Sequence, residues 1–136
     1  MRGTIVCGVV DTEEGRGAVA VAVDLCERLG LRLVLAHVTQ GTGGAGTATG
    51  ADLLARVAAE QGVAGTAERR EAYGDAATRL GEIAAEEAAD LILVGARVRG
   101  RLRGRLESNV GMELEAETAI PVLIAPSPRR REARVP

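Results

Sequence analysis

The sequence predicts an α/β fold, an open and mostly parallel sheet with helices on both faces. Three observations predict it. Short runs at residues 4–10 ("TIVCGVV"), 31–38 ("LRLVLAHV"), 90–96 ("DLILVGA") and 120–126 ("IPVLIAP") are apolar nearly throughout, as strands covered on both sides are. Stretches with apolar residues at helical spacing separate them. Thr, Asp and Gly stand at the junctions, where helices start and stop. Strands alternating with helices require crossovers, and crossovers produce parallel pairing.

The first strand ends at Asp11 and Thr12. Thr12 is placed to cap the following helix, and Glu13 and Glu14 suit its positive first turn. Ala18, Ala22, Leu25, Cys26 and Leu29 form that helix's predicted buried stripe, and Gly30 ends it. After the second strand, residues 39–50 ("TQGTGGAGTATG") lack periodicity and read as a mobile connecting loop. Leu53, Leu54, Val57 and Ala58 then mark a short helix over residues 51–62, closed by Gly62. Residues 66–73 ("TAERREAY") carry too much charge for a central strand and are assigned to the sheet edge, where charge discourages aggregation. Asp75 caps the next predicted helix, with Leu80, Ile83, Ala84 and Glu87 on successive turns. A last helix, about residues 109–118, directs Val110 and Leu114 inward before the final strand.

Composition narrows the function. The chain has 136 residues, enough for one domain with a real core, and the charged tail apart nothing marks a second unit. It contains no Phe or Trp and one Tyr, so the core is aliphatic, and the aromatic platforms typical of single-stranded nucleic-acid binding are missing. The net charge of −2 likewise disfavours nucleic acid as a partner. All 17 basic residues are Arg, which makes arginine alone a poor marker of phosphate recognition. The N-terminal apolar run reaches Asp11 too soon for a signal peptide, and no run spans a membrane; a cytoplasmic protein is expected. Cys7 and Cys26 read as buried reduced thiols, and His37, on an apolar strand, as a packed and hydrogen-bonded residue. No metal site or catalytic constellation emerges from so few His and Cys residues.

In folds of this kind ligands bind beyond the C-terminal strand ends, where the strand order reverses. Asp11, Val38 and Gly95 all follow or end strands, so they are expected to converge on one rim. The same rim takes residues 97–105, in which Arg97, Arg99, Arg101, Arg103 and Arg105 alternate with other residues. Side chains alternating along an extended loop point to opposite sides, so at most two or three could face one ligand. A solvent-facing or partner-facing loop is the favoured reading. The tail at 127–136, with Arg129, Arg130, Arg131 and Arg134, reads as a solvated terminus or, alternatively, a basic rim for an acidic partner.

The opening strand ending in Asp11, "LAHV" at 35–38, "GDAA" at 74–77, "ADLILVGA" at 89–96 and "IPVLIAP" at 120–126 occur in an order and spacing that resemble the universal stress protein family. The resemblance covers residues 1–126. It implies a five-stranded sheet in the order 3-2-1-4-5, a homodimer formed along the last strand and, in the nucleotide-binding branch, an ATP site marked by G-x2-G-x9-G-[ST]. Here Gly95 holds the first glycine, Val98 replaces the second, Ser108 the third, and Asn109 the final hydroxyl residue. If the site is retained, the resemblance assigns it Asp11, Val38, Val94, Gly95, Arg97, Ser108, Asn109 and Val110. Asp11 would then contact ribose or a metal-bound phosphate; its other reading is a cap of the first helix.

The substitutions matter unequally. Val98 resists the positive φ and the close phosphate approach that glycine allows. Ser108 and Asn109 still suit a helix start, where free N–H groups attract anions. Losing two charged contacts, each worth about 1.5–3 kcal/mol, lowers affinity roughly 10²- to 10⁴-fold. The sequence therefore favours a non-enzymatic, dimeric regulatory or interaction domain with weak or no ATP binding, no cofactor and an unidentified protein partner. The alternative is a nucleotide-dependent sensor holding ATP with magnesium, with slow hydrolysis at most.

Overall fold

The structure, a computed structural model, describes residues 2–40, 48–96 and 110–126. Nine elements follow in the order β1 (Thr4–Gly8), α1 (Glu13–Leu29), β2 (Arg32–Thr39), α2 (Ala48–Glu60), β3 (Glu68–Tyr73), α3 (Ala76–Glu86), β4 (Leu91–Gly95), α4 (Val110–Glu117) and β5 (Val122–Ala125). The five strands form one sheet in the order β3-β2-β1-β4-β5, and every pairing is parallel. β1 lies at the centre, with Ile5 in register with Leu33 on one side and Leu91 on the other.

The pleat divides the apolar residues between two cores. Ile5, Cys7, Leu33, Leu35 and Leu93 pack against Ala18, Ala22 and Val23 of α1 and Leu53, Leu54 and Val57 of α2. Val6, Val34, Ala36, Ile92 and Val94 meet Leu80 and Ile83 of α3 and Leu114 of α4 on the other face. Small and branched side chains fill both layers without a ring. Each fully buried Val, Leu or Ile contributes about 1.5–3 kcal/mol.

Local chemistry sets the helix limits. The Thr12 hydroxyl accepts the Gly15 N–H at 3.0 Å, capping α1, and Gly30 ends it at φ 70°, a left-handed conformation that costs glycine little. Asp75 caps α3 by accepting the Thr78 N–H at 3.0 Å. Two of the charged residues of β3, Glu68 and Arg70, are paired rather than merely solvated. Arg32 bonds Glu68 and Glu87, while Arg70 bonds Glu86 at 2.5 Å and Glu87 at 2.6 Å, which ties the edge strand to the end of α3.

Several expectations need adjustment. Leu29, placed on the buried stripe, is 64% exposed; the buried stripe ends at Cys26, one turn before the helix does. α2 begins at Ala48 rather than residue 51, so the expected loop is shorter; residues 41–47 lie outside the described part. β1, β4 and β5 are also shorter than their apolar runs; pairing of β1 within the sheet stops at Gly8 while burial continues to Val9, whereas β2 keeps its length and is shifted by one residue. Asp11 does not cap α1; Thr12 does.

Candidate functional site

β1 connects to β2 on one side of the sheet centre, whereas β4 lies on the other, so the C-terminal ends of β1 and β4 flank the place where the strand order reverses. A cavity of about 370 Å³ opens there. Its floor is formed by Gly8, Ala36 and Val94, and its walls by Val9, Val10, Val38 and Leu80. The first turns of α1, α3 and α4 reach it through Gly15, Ala76 and Val110. Among the described lining residues only Thr12 and Glu14 have polar side chains, and none is cationic.

Close contacts explain the glycines. A Cβ on Gly15 would lie 2.1 Å from the Val10 carbonyl oxygen, so the turn between β1 and α1 folds back onto the helix only where no side chain intervenes. A Cβ on Gly8 would meet a Leu80 methyl at 3.0 Å and a Val94 methyl at 3.3 Å; its hydrogen keeps the floor low. Gly15 and Gly8 were not among the expected site residues. A glycine inside a helix carries a propensity cost, and that cost is the sequence signal that could have identified Gly15.

Of the expected site residues, Val38, Val94, Gly95 and Val110 come together around the cavity. Asp11 is not among its lining residues. Its carboxylate instead bonds Arg16 at 2.8 Å and Arg56 at 3.3 Å, bridging α1 and α2 at the surface. Arg97, Ser108 and Asn109 lie outside the described residues, as does the rest of the segment 97–109 and the tail 127–136. His37 is half-buried, and its Nδ1 bonds the Val9 carbonyl oxygen at 2.7 Å, in keeping with the packed role expected of it.

The electrostatics of the three helix starts are largely self-contained. α1 has Glu13 and Glu14 in its first turn, α3 has Asp75 as its cap, and α4 has Glu113 in its first turn. Each positive helix end therefore already faces a carboxylate of its own. The Asp75 carboxyl is held below its ordinary pKa by the Thr78 N–H and hydroxyl that donate to it. Cys7 lies beneath the site in the α1-side core, and burial pushes its thiol up to about 12. Among the described residues no group of three or more His, Cys, Asp or Glu is arranged to hold a metal ion. No helix among them is long and apolar enough to cross a membrane.

A parallel five-stranded sheet with a small-molecule-sized cavity at its reversal point defines the class of α/β proteins that bind ligands at the strand ends. The chain belongs to the universal stress protein family, whose sequence profile matches residues 1–126. Among solved structures it is similar to a universal stress protein in complex with cAMP, at 22% identity and a TM-score of 0.77, covering 92% of this chain and 97% of that one. It is also similar to the Archaeoglobus fulgidus universal stress protein in complex with dAMP, at 15% identity and a TM-score of 0.68, covering 92% and 98%. A Burkholderia pseudomallei member of the family shares 24% identity at a TM-score of 0.65, covering 91% and 96%. No protein of curated function matches the sequence. The strand order of this sheet is the one that the sequence resemblance implied.

Proposed function

We propose that this protein is a non-enzymatic regulatory or interaction domain of the universal stress type, acting in the cytoplasm, whose pocket takes the nucleoside part of an adenine nucleotide but holds ATP weakly. The observation that carries the reading is the cavity wall. Its described side chains are apolar apart from Thr12 and Glu14, so the described residues offer a nucleoside contact area and place no cation among them for phosphate. The Thr12 hydroxyl is engaged as the helix cap. The carboxylates at the starts of α1, α3 and α4 oppose further negative charge, and Val98 stands where the nucleotide-binding branch has a glycine.

A dimer belongs to the same proposal. β5 is an edge strand with its outer backbone unpaired within this sheet, and Ile124 is 39% exposed on it, which suits pairing with a second copy.

The second reading, a nucleotide-dependent sensor with slow hydrolysis at most, draws support from the cAMP and dAMP complexes of structures with this fold. Titration of nucleotide-free protein with adenosine, AMP and ATP separates the two. The proposal expects affinity to stay level or fall as phosphates are added; affinity rising at least tenfold from adenosine to ATP establishes the sensor instead.

A further inference from the structure

We propose that His37 is a positioning residue for the pocket, fixing the Val9–Val10 wall by donating its Nδ1–H to the Val9 carbonyl oxygen. The inference deepens the nucleoside-binding reading and rests on it for its ligand.

Regular pairing of β1 with β2 ends at Gly8 and Ala36, yet the pocket wall is built by the next two residues. Val9 is nevertheless held at both of its backbone polar groups. Its N–H donates to the Ala36 carbonyl at 2.8 Å, and its carbonyl lies 2.7 Å from His37 Nδ1. Consecutive β2 residues therefore grip Val9, one through backbone and one through a side chain. Val10 follows at 49% exposure, with its carbonyl against Gly15 and no side chain between. The imidazole is thus the side-chain anchor of a wall that otherwise leaves the sheet.

The ring is itself confined. His37 is in register with Glu71 of β3, and a Cβ on Gly50 of α2 would lie 3.2 Å from His37 Cδ2 and 2.8 Å from a Glu71 carboxylate oxygen. The helix backbone thus closes over the imidazole and its neighbour. A carbonyl oxygen can only accept, so Nδ1 must carry the proton, and neutral His37 is the Nδ1–H tautomer. No other common side chain of similar size places a ring N–H at that reach; Asn places an amide N–H near the Nδ1 position, and Leu fills the space without a donor.

The test uses the full chain and three readouts. Imidazole ¹⁵N shifts of the natural protein are expected to show a protonated Nδ1; the Nε2–H tautomer overturns the proposal. In ligand-free His37→Leu, exchange of the Val9 amide, which donates to the Ala36 carbonyl, is expected to quicken about tenfold, the scale of one hydrogen bond, with β4 unchanged. Adenosine affinity is expected to weaken by a similar factor. His37→Asn should recover most of both. Unchanged local exchange, equal acceleration throughout the sheet, or no recovery in His37→Asn contradicts a positioning role. If the natural protein binds no adenosine, the nucleoside reading fails by itself, and the exchange pattern still decides whether His37 positions the wall. If His37→Leu does not fold, the tautomer and His37→Asn exchange decide it.

Discussion

A Cβ added to Gly95 would lie 2.8 Å from the carbonyl oxygen of Glu14, so the end of β4 touches the backbone of the first turn of α1. Gly95 is the residue that the family pattern presents as the first glycine of a phosphate loop. Its φ is not positive, and its hydrogen is needed for packing whether or not a ligand is present. The same contact seats α1 over β4 and sets one edge of the cavity.

Gly95→Ala should therefore destabilise the ligand-free protein. The obstacle is backbone rather than the tip of a flexible side chain, so α1 or β4 must move, at a cost of about 1–3 kcal/mol. Urea unfolding of the two proteins without nucleotide measures it. Equal midpoints and slopes would show that the gap between α1 and β4 yields freely.

The Glu87 cluster predicts a pH dependence. Glu87 is 15% exposed at its side chain and bonds both Arg70 and Arg32, which hold its carboxyl below the ordinary glutamate range. A lowered folded-state pKa gives stability that is complete above about pH 4.3, the ordinary value, and is lost as pH falls through the folded-state value. Glu87→Gln should cost about 1–2 kcal/mol at neutral pH, and the gap between mutant and natural protein should narrow below pH 4. Unfolding free energies from pH 7 down to 3 check both the size and the sign.

Cys7 predicts slow thiol chemistry. It is fully buried, and burial pushes its pKa up to about 12, so almost no thiolate is present between pH 7 and 9. Labelling of Cys7 in a Cys26→Ser background should occur only through opening of the α1-side core, at a rate that rises in step with urea-induced unfolding. Labelling at the rate of a free thiol would show that this core opens far more often than its packing indicates.

How much was legible in advance differs between layers of the structure. The apolar runs around Ile5, Leu35 and Leu93 identify buried strands because side chains on both faces need cover, and all three are buried. Thr12 and Asp75 announce helix starts through local chemistry that any sequence window contains. Leu29 misleads because periodicity fixes a helix face but not where along that face burial stops, here at Cys26. Val38 and Gly95 are recognisable from strand ends, since the reversal point gathers those ends into one place, whereas Val94 and Val110 are assigned to the site by the family resemblance. Asp11 is harder. Its partners Arg16 and Arg56 lie on two helices, and a cross-helix ion pair leaves no periodic trace. The roles of Gly8, Gly15 and His37 depend on backbone atoms of residues remote or folded back in space, and only the assembled fold reveals them.

The central claim is a nucleoside-sized pocket whose hold on phosphate is weak. Its most direct test is calorimetric titration of ATP with magnesium into purified, nucleotide-free protein, in parallel with Val98→Gly. The account predicts no micromolar binding by the natural sequence and a gain on Val98→Gly, as a backbone contact to phosphate is restored, by about tenfold or more. Micromolar binding by the natural sequence, unchanged in Val98→Gly, would contradict it and show that other groups of this chain already hold the triphosphate.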